Sequence, residues 1–154
     1  MDARDAVVER LVPHRGGMLW IDRVVHCDAG GVVAEATIRP DHLLADEDAP
    51  GLPAWMGIEY MAQGIAAWAG ARALARGEAA RPGFLLGTRR YECHRPWLAF
   101  GLRLRIECNC ELMGDNGLGV FACRLLDGDD EIAAANVSVF EPPDPDAYLD
   151  ESTA

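Results

Sequence analysis

The amino-acid sequence predicts an α+β domain in which an antiparallel sheet wraps around one long, buried helix. Three observations along the chain predict it: two short strands, then one long segment apolar on nearly every side, then a run of alternating strands. Because tight turns join those later strands, the sheet is expected to be antiparallel, with the helix packed against it. At 154 residues the chain fits a single domain.

The strands follow from alternation and turn residues. The first two are predicted at 18–27 and 32–38, joined by a tight turn at Ala29-Gly30-Gly31. Residues 39–53 hold several prolines and an acidic run, which predict a loop. Four more strands are predicted at 84–92, 102–112, 118–126 and 131–140. The alternation is clearest at 102–112, where the even-numbered positions from Leu102 to Leu112 are apolar and the odd-numbered ones are polar.

Residues 54–76 predict one long helix, with small residues between the large apolar ones. A helix that is apolar on most sides belongs inside a protein. Gly77 is suited to end it. The order of elements is that of a hot-dog fold, expected over residues 1–141, and an acidic, proline-rich tail is expected at 142–154.

Charge and composition exclude several classes of function. The formal net charge of −11 argues against binding to nucleic acid or to an anionic membrane surface. The start of the chain is unlike a signal peptide, and Glu59, Gln63 and Arg72 interrupt its most apolar stretch, so a cytoplasmic protein without a membrane span is expected. The five cysteines lack zinc spacing, which predicts free thiols and no metal site.

Other catalytic patterns are missing from the sequence. Ser138 and Ser152 are its only serines, and neither lies in a Gly-x-Ser-x-Gly pattern. Cys93 and His94 are adjacent on a predicted strand, where neighbouring side chains face opposite sides, so they do not form a catalytic pair. No glycine pattern of a phosphate loop or a dinucleotide site occurs.

Every basic residue is an arginine, and six arginines lie between residues 72 and 95 against only two glutamates. A basic region on an acidic chain predicts a docking place for an anion or an acidic partner. The alternative is a solvated helix end, where Arg72 and Arg76 simply suit the helix dipole. The sequence leaves both interpretations open.

Three segments carry a family resemblance. The first runs from Pro13-His14-Arg15 to Asp22-Arg23-Val24. The second is Glu59-Tyr60-Met61-Ala62-Gln63 on the predicted helix. The third is Arg90-Tyr91 followed by Arg95-Pro96. In this order, over about residues 7–140, the chain resembles bacterial 3-hydroxyacyl-carrier-protein dehydratases. Residues 57–63 and 83–94 look closest to a subgroup found beside aryl-polyene and related polyketide genes.

The resemblance implies an enzyme of fatty-acid, polyene or polyketide assembly. Its substrate would be an acyl thioester carried on the phosphopantetheine of an acyl carrier protein or on CoA, with no other cofactor. Two hot-dog subunits, identical or different, would pair strands into one continuous sheet with the active sites at their interface. In the basic region, Arg89 and Arg90, or Arg72 and Arg76, are the expected contacts to the acidic carrier.

Glu59 is the first candidate catalytic residue, as the general acid or base. Neither lysine nor arginine stands one turn away from it on the helix, which excludes an ion pair within the helix. The alternative is a structural glutamate that pairs with an arginine from another element. Gln63 lies one turn further on and is expected to orient Glu59 or to bind substrate. The backbone amides of Met56 and Gly57, at the helix start, are expected to polarise the thioester carbonyl.

The second catalytic group stays open because the family's Gly-His-Phe-Pro histidine is missing. The positions that align with it are Ala45 or Asp46-Glu47, depending on the register. His42, which is nearby, and His14, in the family-like segment, are the weak candidates for the base. His94, in the Arg-Pro turn, has as much in its favour as His14, whereas His26 lies in a predicted strand and favours a structural role. Two alternatives therefore stand beside the dehydratase: a thioesterase, and a subunit that pairs with a histidine-bearing hot-dog chain.

Overall fold

A computed structural model describes residues 18–78 and 84–141 of the chain. In these ranges the strands are β1 (Arg23–Asp28), β2 (Gly31–Thr37), β3 (Gly51–Pro53), β4 (Phe84–Cys93), β5 (Trp97–Ala99), β6 (Arg103–Met113), β7 (Leu118–Asp127) and β8 (Asp130–Phe140). The helix α1 spans Gly57–Ala75 and follows a 3-10 turn at Ala54–Met56.

Six strands form one antiparallel sheet in the order β1-β2-β6-β7-β8-β4. The strands β3 and β5 pair separately as a short antiparallel ribbon. Helix α1 touches every strand of the larger sheet. The predicted α+β hot-dog architecture, a sheet around one long helix, is confirmed.

Helix α1 is buried along nearly its whole length, as its apolar surface predicts. Only Arg72 and Ala75 of its residues are exposed. Gly64 allows a close approach to the sheet, because a side chain there would press against Ile106 and Cys108. Farther along, the Trp68 indole N–H donates to a backbone carbonyl at the end of β1, 2.8 Å away. The helix is therefore fixed to the sheet by apolar packing near its middle and by a hydrogen bond near its end.

The end of α1 is set by Gly77, as predicted. Gly77 has a φ of 75° and donates its N–H to the Leu74 carbonyl, while the Glu78 N–H donates to the Ala73 carbonyl. These two bonds form a Schellman motif, which favours glycine because a residue with a Cβ adopts this backbone conformation poorly.

Three details differ from the predictions. The first strand begins at Arg23 rather than at residue 18, because Trp20 and Ile21 are both buried and the Trp20 N–H bonds to a side chain of α1. The predicted loop at 39–53 ends in β3, and its partner β5 was not predicted. The alternation of β6 fails at Leu112, which is 56% exposed beyond a bulge.

Two further predictions concern the ends of the chain and membrane spans. The tail expected at 142–154 lies outside the described residues. Within the described ranges, no helix combines the length and hydropathy that crossing a membrane requires.

The bulge in β6 allows a matched test of the core. Leu104 is fully buried and Leu112 is largely exposed, although both lie on the same strand at positions of equal parity. We expect Leu104→Ala to lower the free energy of unfolding by about 2–5 kcal/mol. Leu112→Ala should change it by less than about 0.5 kcal/mol in the isolated chain. Urea denaturation of both variants measures the difference, and equal losses would contradict the assigned register.

Candidate active site

Four of the candidate residues, Met56, Gly57, Glu59 and Gln63, lie in the first half of α1 and the turn before it. Met56 and Gly57 are buried and Glu59 is half-buried. Two residues along a helix correspond to about 200° of rotation, so Gly57 and Glu59 point in nearly opposite directions. Gly57 faces the sheet, where its neighbours are Leu125 and Tyr91. Glu59 therefore faces the chain segment that leads into β1.

Gln63 connects that segment to Glu59. Its side chain is completely buried, and its Oε1 accepts a hydrogen bond from the backbone N–H of Trp20 at 2.8 Å. Its Nε2 donates to the Met18 carbonyl at 2.8 Å and to Glu59 Oε1 at 3.3 Å. A buried amide with partners on both of its ends holds one orientation. Gln63 therefore links Glu59 to the segment that leads into β1.

The start of α1 is held from the side of the sheet. The Gly57 N–H points back to the carbonyls of Ala54 and Trp55 within the 3-10 turn, so this amide is engaged inside the turn. The Tyr91 hydroxyl on β4 donates to the Ala54 carbonyl at 2.5 Å. A Cβ at position 57 would collide with that hydroxyl and with Leu125, so any other residue there would have to displace one of these side chains.

Tyr91 was not singled out by the sequence analysis. It lies in the Arg90-Tyr91 segment that carries part of the family resemblance, but the pattern of β4 alone does not show what it contacts. Burial, together with the neighbouring Cys93, raises the pKa of Tyr91 well above its ordinary value. Its hydroxyl therefore stays protonated and remains a donor.

His42 does not hydrogen-bond to Glu59. Its Nδ1 accepts the Leu44 N–H at 3.0 Å, and its Nε2 is buried without a hydrogen-bond partner. The ring meets Trp20 edge-on, with centroids 4.5 Å apart. Burial lowers the pKa of His42 against the opposing effect of Asp41, which favours a neutral ring with its proton on Nε2.

His42 also lines an open cavity of about 300 Å³ beside β1 and β2. The cavity is bounded mainly by polar and charged groups, together with a few apolar side chains. Its other lining residues are Leu19, Trp20, Asp22, Thr37, Arg39, Asp41 and Leu43. Glu59 does not line this cavity.

The remaining histidines lie elsewhere. His26 is exposed on β1, and its Nε2 lies 3.0 Å from the Asp28 carboxylate. His94 is exposed just after β4, and its backbone N–H donates to the Ile132 carbonyl. His14 lies outside the described residues. None of the three histidines in the described part of the chain hydrogen-bonds to Glu59.

The basic region divides into two groups. Arg72, Arg76 and Arg95 are engaged with neighbouring side chains. Their partners are the Trp68 ring at 4.8 Å for Arg72, Glu78 at 3.5 Å for Arg76, and Asp127 and Asp130 at 3.0 and 2.7 Å for Arg95. Arg81 lies outside the described residues.

Arg89 and Arg90 form the second group. Both are exposed on β4, the strand at one edge of the sheet. Neither forms an ion pair in the part of the chain that the structure describes, so their charges are available to a partner.

The cysteines are free thiols, as their spacing predicts. The two that are fully buried, Cys108 and Cys123, face each other across β6 and β7. In residues 18–78 and 84–141, no three His, Cys, Asp or Glu side chains gather where they could hold a metal ion.

Comparisons with known proteins agree with this architecture. A family model described as ApeP-like, ApeP dehydratase, matches residues 6–150. A chain of the solved structure "The Dehydratase Heterocomplex ApeI:P from Xenorhabdus doucetiae" is 27% identical with a TM-score of 0.88, covering 98% of this chain and 100% of that one. No protein with a curated description matches the sequence.

More distant structures share only the fold. The phenylacetic acid degradation protein PaaI from Thermus thermophilus, solved as a mutant, is 19% identical with a TM-score of 0.58, over 80% of this chain and 94% of that one. A hypothetical thioesterase from Streptococcus pneumoniae, solved with coenzyme A, is 12% identical with a TM-score of 0.58, over 77% of this chain and 86% of that one.

The role of Gln63 can be tested through stability. Gln63→Met keeps a similar volume but leaves the Trp20 N–H and the Met18 carbonyl without their side-chain partner. We expect the free energy of unfolding to fall by about 2 kcal/mol or more, because unsatisfied buried polar groups are costly. Asn136→Met on the exposed face of β8 is the matched control and should be nearly neutral. Equal effects in urea denaturation would mean that Gln63 does not hold this segment to α1.

Proposed function

The chain belongs to the ApeP-like family of dehydratases, and from that membership we propose that it supplies the carboxylic half of a two-subunit dehydratase site. The substrate is a 3-hydroxyacyl thioester on the phosphopantetheine arm of an acyl carrier protein, within polyene assembly. A second hot-dog subunit supplies the histidine. The similar heterocomplex from Xenorhabdus doucetiae, which is described as a dehydratase, supports a site shared by unlike subunits.

The reaction requires one acid and one base. The base removes a proton from C2, which the thioester carbonyl acidifies, and the acid protonates the departing hydroxyl at C3. A C2=C3 double bond forms and water leaves. Glu59 suits the acid because it is half-buried in an apolar helix and oriented by Gln63. The partner's histidine acts as the base.

The single observation that carries the half-site proposal is the placement of the histidines. In the described residues, His26 and His94 are on the surface. His42 accepts the Leu44 N–H at Nδ1 and its Nε2 is buried without a hydrogen-bond partner, so neither ring nitrogen bonds to Glu59. At the positions that align with the family's histidine, this chain has Ala45 or Asp46-Glu47 instead. A base from another chain completes the acid–base pair.

The surface around β4 supports pairing with a second subunit. This strand is ten residues long, and one of its edges has no neighbouring strand among residues 18–78 and 84–141. Such an edge would be open to unwanted association in an isolated chain. Nearby, Trp55 is 65% exposed and Trp97 is 37% exposed, beside the start of α1. Exposed aromatic side chains next to a free strand edge are typical of a surface that a partner covers.

A thioesterase has less support. The likeness to the hypothetical thioesterase from Streptococcus pneumoniae, at 12% identity, shows a shared fold and not a shared reaction. Thioester hydrolysis by a helical carboxylate is therefore kept as an outcome of the test below.

The test uses this chain and a hot-dog partner that carries Gly-His-Phe-Pro, purified together and separately. We expect dehydration of 3-hydroxyacyl carrier-protein thioesters by the complex, and none by this chain alone. Glu59→Gln in the complex should lower turnover by roughly 10²–10⁴-fold, the usual contribution of a positioned proton-transfer group. The control Glu111→Gln, on an exposed position of β6, should leave turnover unchanged. Thioester mass spectrometry measures the products.

Other outcomes separate the alternatives. Dehydration by the isolated chain that is lost in His14→Gln would show a self-sufficient site and contradict the half-site. Hydrolysis to free acid that depends on Glu59 would establish the thioesterase. Full activity of the folded Glu59→Gln complex would remove Glu59 from the site.

We further propose that Arg89 and Arg90 bind the acidic carrier protein. Replacing both with glutamate should weaken carrier binding strongly at low salt and less at high salt, because screening already reduces the wild-type attraction there. The melting temperature should change little, since both side chains are exposed. The control changes Arg23 and Arg103 to glutamate, which alters charge equally on β1 and β6. Equal losses of affinity in both variants, measured by titration calorimetry, would assign the effect to net charge alone.

A further inference from the structure

Arg90 has an unusual backbone conformation. Its φ is 55°, and in the described part of the chain no other residue except glycine has a positive φ. A side chain with a Cβ is disfavoured in this region. Such a conformation persists only where the surrounding structure requires it, and it often marks a functional position.

The conformation belongs to a bulge in β4. Arg89 pairs with Asn136 and Glu92 pairs with Ala134, so two residues of β4 stand opposite one residue of β8. The extra residue changes the alternation of the strand. Thr88 is half-buried, Arg89 and Arg90 are both exposed, and Tyr91 is half-buried again. Without the bulge, Tyr91 would face the same side as Arg89, and Glu92 would face the helix.

The bulge therefore directs Tyr91 to the start of α1. There its hydroxyl donates to the Ala54 carbonyl and lies against Gly57. The same carbonyl accepts the Gly57 N–H, so one oxygen joins the 3-10 turn, the first turn of α1 and the sheet. Gln63 holds the opposite side of the helix through Met18 and Trp20. Glu59 lies between these two attachments.

We propose that Tyr91 is a positioning residue for the site at the start of α1, and that the left-handed bulge at Arg90 turns it inward. The inference rests on the proposed function, because the group that Tyr91 positions is Glu59. Tyr91 acts through the Ala54 carbonyl and does not take part in proton transfer. A small displacement of a reacting group costs rate without weakening the docking of the carrier.

The test replaces Tyr91 with phenylalanine in the complete two-subunit complex. Tyr91→Phe removes one hydroxyl and should lower kcat by about tenfold with KM unchanged, while the complex stays intact by size-exclusion chromatography. Backbone amides of residues 55–58 should exchange with deuterium several-fold faster. The control Val24→Ala removes buried volume in β1, far across the sheet, and should lower Tm without changing kcat.

A second pair of variants tests the bulge. Arg90→Gly and Arg90→Val remove the same charge and weaken carrier binding equally. Glycine adopts a φ of 55° freely, whereas a β-branched residue resists it. We expect the valine variant to have a kcat about tenfold below that of the glycine variant, and faster exchange at residues 55–58. Equal kcat values and equal exchange in the two variants would overturn the role of the bulge.

The results distinguish this inference from the proposed function. If the wild-type complex dehydrates its substrate and Tyr91→Phe keeps full kcat, the positioning role is wrong and the proposed function stands. If the wild-type complex turns over no thioester, the proposed function fails, and amide exchange at residues 55–58 still decides whether Tyr91 holds the helix start. Unchanged exchange in Tyr91→Phe overturns the inference in either case.

Discussion

A helix without a polar face has to be covered on every side, and this requirement organises the molecule. The sheet covers one side of α1, with Gly64 allowing Ile106 and Cys108 to approach closely. The segment leading into β1 covers another side through Trp20. At the start of the helix the cover is incomplete, since Trp55 is exposed there. The candidate site and the proposed contact with a partner lie at that place.

Polar groups inside such an arrangement are costly unless they are hydrogen-bonded. Gln63 is fully buried, and both ends of its amide are hydrogen-bonded. Glu59 lies next to it and receives one of these bonds. On the outer face of the sheet, charged side chains form ion pairs in solvent instead, as Arg124 and Arg105 do with Glu107. Such exposed pairs contribute little to stability and indicate a solvated surface.

Most of the fold could be predicted because its signals are local. Alternation predicted the bounds of β6, β7 and β8 to within about one residue. The predicted turn at Ala29-Gly30-Gly31 is present, and the Asp28 carboxylate accepts the backbone N–H groups of Gly30 and Gly31 there. The ribbon of β3 and β5 was missed because its strands are three residues long, too short for a period to show. The start of β1 was misplaced because Trp20 and Ile21 are consecutive buried residues, which alternation does not predict.

The sequence by itself determined the fold class, the family resemblance, and the Glu59 and Gln63 pair, because helical spacing places residues four apart on one face. It also showed that the family's Gly-His-Phe-Pro histidine is absent at the aligned positions. Only the tertiary structure decided which arginines are engaged, since Arg95 meets Asp127 and Asp130 from a distant turn. Only the tertiary structure showed that Tyr91 reaches the start of α1, because that contact depends on a bulge and on a strand far along the chain. The period of apolar residues along a segment shows whether it forms a helix or a strand. Contacts between distant residues depend instead on how the helix and strands pack together.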